Sequence, residues 1–319
     1  MQINKVLCVG AALNDILLQE SDDFLKLIGK EKGGMTLVEK AEIDDILAKS
    51  SEKAELAPGG SACNTAVGLA KLGGDSSFLG KRGNDEPGNF IESQLGEWGV
   101  KSSLVKSDNP TGQVLSIITP DAERSMFTYL GAAAEINCDE ISDETFKGFD
   151  LVHIEGYLLF NNDFAMKVLK CAKAAGCRVS LDLSSFEVVR IFKDALADIL
   201  ANYVDVIIAN EDESKEYTGV EPHESLEIFR KISELAIVKL GADGVLVACG
   251  EEKVEVKGTK VNAVDTTGAG DLWASGFIYG LTQGWSLTEC AQMGNKTGSS
   301  VVQVVGAVIP DEVYAAIKE

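Results

Sequence analysis

The sequence predicts an α/β chain with a doubly wound, mainly parallel sheet and a small β-sheet lid formed by two insertions. Three observations carry that reading. Short β-branched apolar runs alternate with amphipathic helical stretches, the order expected of a parallel sheet covered on both faces. Two stretches, 15–57 and 111–130, break this rhythm and then return to it. The 319 residues, 45% hydrophobic and 25% charged, have an ordinary globular composition with ample material for a core.

Taken in order, strands are expected at 5–10, 77–80, 151–155, 178–182, 204–209, 236–240 and 244–248, where Val, Ile and Leu run together. Helical periodicity fills 62–72, 86–98, 163–175, 187–201 and 225–232. Within 15–57 lie short strand-like pieces and a charged helix at 41–49; residues 111–130 alternate around Pro120-Asp121-Ala122-Glu123, a hairpin signal. The expected division is a large domain of 1–14, 58–110 and 131–319, and a lid of 15–57 and 111–130.

Composition excludes several functions. Fifty acidic residues against 29 basic ones give a net charge of −21, which argues against nucleic-acid binding, where Lys and Arg must neutralise phosphates. The two histidines, His153 and His223, lie far apart, so no HExxH zinc helix can form. The seven cysteines contain no CxxC pair and read as buried reduced thiols. MQINKVLCVG reads as a first strand rather than a signal peptide, and no apolar run reaches membrane-spanning length, so a cytoplasmic location is expected.

The strongest chemical signal is Asp265-Thr266-Thr267-Gly268-Ala269-Gly270-Asp271, followed by the apolar helical pattern LWASGFIYGL. Gly268 and Gly270 let the backbone turn tightly and approach a ligand, and a helix opening at 269–271 aims free N–H groups and its positive dipole end at an anion. Asp271 at that terminus is placed to accept a proton from an attacking hydroxyl. There is no GxGxxG after a strand, because Trp273 takes the third glycine's place, and no GxxxxGK[ST]. A second cluster, Pro58-Gly59-Gly60-Ser61-Ala62-Cys63-Asn64-Thr65-Ala66, opens another helix; its paired glycines with Asn64 one turn inside suit close approach to a polar ligand, and Ser61 as a simple N-cap is the plainer reading of the cluster taken alone.

Together the two segments resemble the paired signatures of the ribokinase, or pfkB, family of carbohydrate and nucleoside kinases, over essentially the whole chain. GGSACNTA is similar to the family's N-terminal glycine motif and DTTGAGD to its C-terminal one. The resemblance implies a ribokinase-like fold and ATP-dependent phosphorylation of a hydroxymethyl group, with Mg²⁺ as cofactor. It casts Asp271 as general base and the amides of Gly268, Ala269 and Gly270 as the anion hole for the γ-phosphoryl group. Asn210-Glu211-Asp212-Glu213 resembles the family's NxxE motif, placing Glu213 to organise Mg²⁺ through water and Asn210 near the phosphates. A solvated acidic helix start is the plainer reading of those four residues.

Lys239 and Gly241, in VKLGADG, are similar to the segment at the nucleotide phosphates and ribose, and Asn295 to the adenine wall. A K⁺ site beside the anion hole is implied, with Asp265 and Thr267 contributing; the need for K⁺ stays open. On the acceptor side the resemblance places Asp15, expected at the end of the first strand, with Gly59, Gly60 and Asn64 around the sugar hydroxyls. Arg124 on the hairpin is in reach of the site, or is an ordinary solvent-facing charge. The length of the first insertion and RSMFTYLGAA are similar to adenosine kinases, so a nucleoside leads, a free sugar follows, and a phosphorylated sugar, lacking a basic cluster, ranks third. A sugar-binding protein and a silent family member are the readings from other classes; the first needs an export signal and the second a lost base. Monomer and lid-edge homodimer both stay open.

Overall fold

The computed structural model describes residues 3–121 and 123–318. Met1, Gln2 and Glu319, at the ends of the expected large domain, and Ala122, in the expected hairpin turn, lie outside the described residues. In chain order the strands are β1 Lys5–Val9, β2 Leu13–Gln19, β3 Met35–Leu37, β4 Glu55–Gly59, β5 Asp75–Gly83, β6 Lys101–Ser107 and β7 Gly112–Ile118. There follow β8 Arg124–Tyr129, β9 Leu151–Glu155, β10 Arg178–Asp182, β11 Val206–Asn210, β12 Leu235–Lys239, β13 Gly244–Cys249 and β14 Glu252–Lys257.

Nine of them form the large sheet in the order β14-β13-β12-β11-β10-β9-β1-β5-β6, parallel except for the β12–β13–β14 edge. Both faces of the strands are apolar: Leu7, Val9, Val152, Ile154, Val179 and Leu181 pack on one side. Val6, Cys8, Leu151, Val206, Ile208 and Ile237 pack on the other. The sheet is doubly wound, as its continuous apolar strands predict. β1 pairs with β5 on one side and β9 on the other, which makes the β1–β9 boundary the switch point, where ligands bind beyond the strands' carboxyl ends.

The second sheet, β3-β8-β7-β2-β4, is the small one. Helices Asp22–Leu27 and Lys40–Lys49 cover one face, where Phe24, Leu25, Ile43 and Ile46 pack on Ile16, Leu18, Leu115, Ile117 and Phe127. The pairs Leu13↔Gly59 and Asn14↔Pro58 carry this sheet two residues beyond 15–57 at each crossing.

Some elements differ from expectation. The helix at 187–201 is two, Phe186–Ile191 and Lys193–Asn202, broken at Phe192, whose ring meets Phe160 edge-on at 5.1 Å. The strand at 204–209 begins only at Val206, although Asp205 before it already bonds to both neighbours, its N–H donating to Val179 O at 2.9 Å and its carbonyl accepting from Leu235 N at 3.0 Å. β6 and β14 were not expected. Of the seven free thiols, Cys138 and Cys249 are only half-buried.

Candidate active site

Four neighbouring strands end in a polar or charged residue at the same edge of the sheet: Glu155 on β9, Asp182 on β10, Asn210 on β11 and Lys239 on β12. Helix Ala269–Thr282 opens next to them. Its N-cap Gly268 sits at φ +69, and a Cβ there would press on Ala307 at 2.6 Å, so the turn needs glycine twice over. The Ala269 N–H makes a long bond of 3.2 Å to Thr266 O, whereas Gly268, Gly270 and Asp271 make no such bond among the described residues. Three backbone donors therefore stay open at a helix N-terminus.

The two glycine-bearing segments meet at Asp271. Ser61 Oγ donates to Asp271 Oδ1 at 2.7 Å, Asn64 Nδ2 to Oδ2 at 3.0 Å, and Thr65 Oγ1 to the Asp271 carbonyl at 3.2 Å. Ser61 is not the helix N-cap; Gly60 takes that position at φ +101, which frees the Ser61 hydroxyl to reach across the cleft. Enclosure by protein pushes the Asp271 carboxyl above the ordinary Asp range, Asn64 and Ser61 draw it back, and Asp182 raises it while Lys239 lowers it. The residue keeps an opening to the cleft.

Asp15 lies inside β2, two residues into the small sheet's second-to-last strand, not at the end of the first strand as expected. Alternation points it away from Ile16 and Leu18, off the helix-covered face. Burial lifts its carboxyl to about 7, with Arg124 lowering it and Asp271 and Asp265 raising it, and no hydrogen bond contributes. Gly59 is beside it: a Cβ there would stand 2.5 Å from Asp15 Oδ2. Arg124 does reach inward, with Nη1 3.9 Å from Asp265 Oδ1.

The Asp265 carboxylate ties two loops together. It accepts from Thr267 N at 2.9 Å, Thr267 Oγ1 at 2.6 Å and Gly306 N at 2.8 Å. A monovalent cation at this position would share that carboxylate with Arg124.

At the end of β11, Asn210 caps helix Glu211–Thr218. Its Oδ1 accepts from Glu213 N, while its N–H and Nδ2 donate to the two Glu213 oxygens, all at 2.8 Å. Glu213 is thus a buried capping-box residue; burial first, then Asp182, lifts its carboxyl to about 7. Glu211 and Asp212 are the solvated ones. Lys239 Nζ pairs with Asp182 Oδ2 at 2.9 Å, and Gly241 opens the turn after β12. Asn295 is buried in the scaffold, accepting from Trp273 Nε1 at 2.8 Å and donating to Lys257 O at 3.0 Å. Among the described residues no group of three or more His, Cys, Asp or Glu forms a metal cage.

Sequence reasoning missed Asp182 and Glu155. Glu155 Oε1 accepts from Ala11 N and Oε2 from Ala62 N, both at 2.9 Å, clasping β1's end to the glycine-led helix; burial lifts its carboxyl to about 7. The available signal was a carboxylate closing an apolar parallel strand, in LVHIE and RVSLD. His153 is no ligand candidate: it is buried in β9 with Nδ1 at 3.2 Å from Ser180 Oγ, and burial drops its pKa to about 4.

The pfkB family carbohydrate kinase model matches residues 34–313. The adenosine kinase from Sinorhizobium meliloti superposes with a TM-score of 0.89 at 32% identity, covering 98% of each chain. A probable sugar kinase from Rhizobium etli gives 0.90 at 30% identity, covering 100% of this chain and 98% of that one. The 5-dehydro-2-deoxygluconokinase of Shouchella clausii is 30% identical over 264 residues, 76% of this chain and 80% of its own length. No described helix is long and apolar enough to cross a membrane. With the nine-stranded sheet, the small second sheet and the glycine turn beside Asp271, these matches show that the chain belongs to the pfkB family of carbohydrate kinases, phosphotransferases with an alcohol group as acceptor.

Proposed function

We propose that the chain transfers the γ-phosphoryl group of ATP to the hydroxymethyl group of a nucleoside, adenosine or a near analogue, with Asp271 as general base. The observation that carries the nucleoside is a partly exposed tyrosine bordering the carboxylates. Tyr157, two residues after Glu155, is 39% exposed, and its hydroxyl, shielded chiefly by burial and next by the Asp271 charge, resists ionisation. Such a ring suits a planar base, which stacks on it. The resemblance to an adenosine kinase over 98% of both chains points the same way. A free sugar is the second reading, because Asp15 suits any vicinal diol and a 5-dehydro-2-deoxygluconokinase is among the relatives.

In this reading Asp15 accepts from acceptor hydroxyls, and the Gly59 backbone lets it stand close. Ser61 and Asn64 fix the Asp271 carboxylate to receive the proton. The open N–H groups of Gly268, Gly270 and Asp271 stabilise charge on the transferred group. The small sheet, bringing Asp15 and Arg124 over the strand ends, excludes water as a competing acceptor. Glu213 fits only an indirect hold on Mg²⁺, through water, since Asn210 occupies both its oxygens. Mg²⁺ bound with ATP neutralises part of the phosphate charge.

The test is an ADP-release screen with ATP and Mg²⁺ against adenosine, other nucleosides, ribose, fructose and ketodeoxy sugar acids. Turnover of one free sugar and no nucleoside would overturn the acceptor. Asp271→Asn is expected to lower kcat by about 10²–10⁴-fold, the usual range for losing a general base, with ATP binding retained. A variant turning over at the wild-type rate would remove Asp271 from that role.

A further inference from the structure

Lys239 closes β12 and Asp182 closes β10, with β11 between them. The lysine therefore leans across the end of β11, a span of about two strand spacings of ~4.8 Å, instead of extending into solvent. Its side chain is only 12% exposed. Asp182 is itself fixed, because Oδ1 accepts from Ser184 N at 2.9 Å. Ser184 is the one described non-glycine residue at positive φ, +66, and its Oγ accepts from Gly156 N at 2.8 Å. Backbone strain held in place by such bonds marks a position where geometry matters.

The other end of this arrangement faces the glycine turn. A Cβ on Gly270 would lie 3.1 Å from Lys239 Nζ, so the ammonium stands against the first turn of helix Ala269–Thr282, among its open N–H donors. Four buried or half-buried carboxylates, Glu155, Asp182, Glu213 and Asp271, share this region. A lysine free to choose among them could pair with Asp271 and quench it. Instead Asp271 is bonded to Ser61 and Asn64, and the ammonium is bonded to Asp182.

We propose that Asp182 and Lys239 act as one unit in the transfer step, Lys239 donating to the γ-phosphoryl oxygens beside the Gly268, Gly270 and Asp271 amides and Asp182 acting as the positioning residue that holds it there. In that step the acceptor oxygen bonds to the γ-phosphorus, the bond from phosphorus to the β–γ bridging oxygen breaks with its electrons leaving on ADP, and the hydroxyl proton passes to Asp271. Charge spreads over the equatorial oxygens of the phosphoryl group, where a compact ammonium already held in place needs no reorganisation.

The inference rests on phosphoryl transfer at this site, and its test separates from that of the base and the acceptor. Lys239→Met is expected to lower kcat by about 30–100-fold with the acceptor KM within about twofold, and Lys239→Arg to recover about tenfold of the loss. Asp182→Asn is expected to cost about tenfold alone and nothing further on top of Lys239→Met. Binding of ADP with aluminium fluoride, a mimic of the transferring group, is expected to weaken at least about tenfold in Lys239→Met while ADP alone changes less than about threefold. That measurement needs no acceptor and no base. Lys239→Thr replaces Lys239→Met should the latter fold poorly, as judged by thermal melting. A Lys239 variant with near-wild-type kcat, losses that multiply in the double variant, or equal weakening of both ligands would overturn the proposal.

Discussion

Gly59→Ala isolates the contact between the glycine-led segment and Asp15. The φ of Gly59 lies outside the left-handed region, so alanine is compatible with the backbone, and the effect comes from the methyl group alone. That methyl would stand 2.5 Å from Asp15 Oδ2, where ordinary contact begins at 3.4 Å, so the carboxylate must retreat by about 0.9 Å. Asp15 is a short side chain held within a strand paired on both sides, by β4 and β7, and has little room to comply without losing its aim. A displacement near 1 Å in a positioning group costs on the order of 10²-fold in rate, which corresponds to ~2.7 kcal/mol of transition-state stabilisation. The assay is coupled ADP release with the acceptor found by the screen. The expectation is kcat/KM for the acceptor lowered about 10²-fold, with the KM for ATP unchanged. Gly59→Ala combined with Asp15→Asn should be no worse than Asp15→Asn alone. A Gly59→Ala enzyme within about threefold of wild type would show that Asp15 does not work from its position beside Gly59.

What the sequence disclosed and what it hid follow from the range of the interactions involved. The alternating apolar runs are local, so the parallel sheet and its two interruptions were readable, as was a glycine turn opening a helix. β6 (KSSLVKS) and β14 (EKVEVK) are largely polar edge strands, and neither carries the apolar run that marks a buried strand. The break at Phe192 has no Gly or Pro to announce it; what marks it is the edge-on contact with the distant Phe160 ring. Asp182 and Glu155 were hidden because their meaning depends on strand order. Only when β9, β10, β11 and β12 lie side by side do their last residues become neighbours. The plain N-cap alternative for Ser61 fails for a similar reason: the hydroxyl's partner, Asp271, is 210 positions away. Asn210 and Glu213 were paired through their resemblance to the NxxE motif; that each caps the other and that Glu213 is buried emerged only from the structure.

Two further predictions concern how a chain of net charge −21 runs phosphate chemistry on buried carboxylates. Ser61→Ala removes one of two hydrogen bonds that lower the Asp271 pKa. The acid limb of the kcat/KM profile should therefore move to higher pH by about one unit, the worth of a hydrogen bond to a charged group; an unmoved limb would mean that Asp271 does not set it. Asp15 makes the opposite kind of statement, about stability. Its folded pKa, about 7, lies above the ordinary Asp value of 3.8, so folding favours the protonated form. The stabilisation tied to that proton is complete below the unfolded value and is lost as pH rises through about 7. Asp15→Asn, which stays neutral, should then melt higher than the wild type at pH 8 and alike at pH 4, by ~1–3 kcal/mol at the alkaline end. The same substitution should weaken acceptor binding, because only the ionised carboxylate accepts from both hydroxyls of a diol. A residue that costs stability in the free protein while serving the acceptor is one kept for its ligand. If Asp15→Asn melted lower than wild type at every pH, Asp15 would instead be part of the scaffold, and the diol assignment would lose its physical basis.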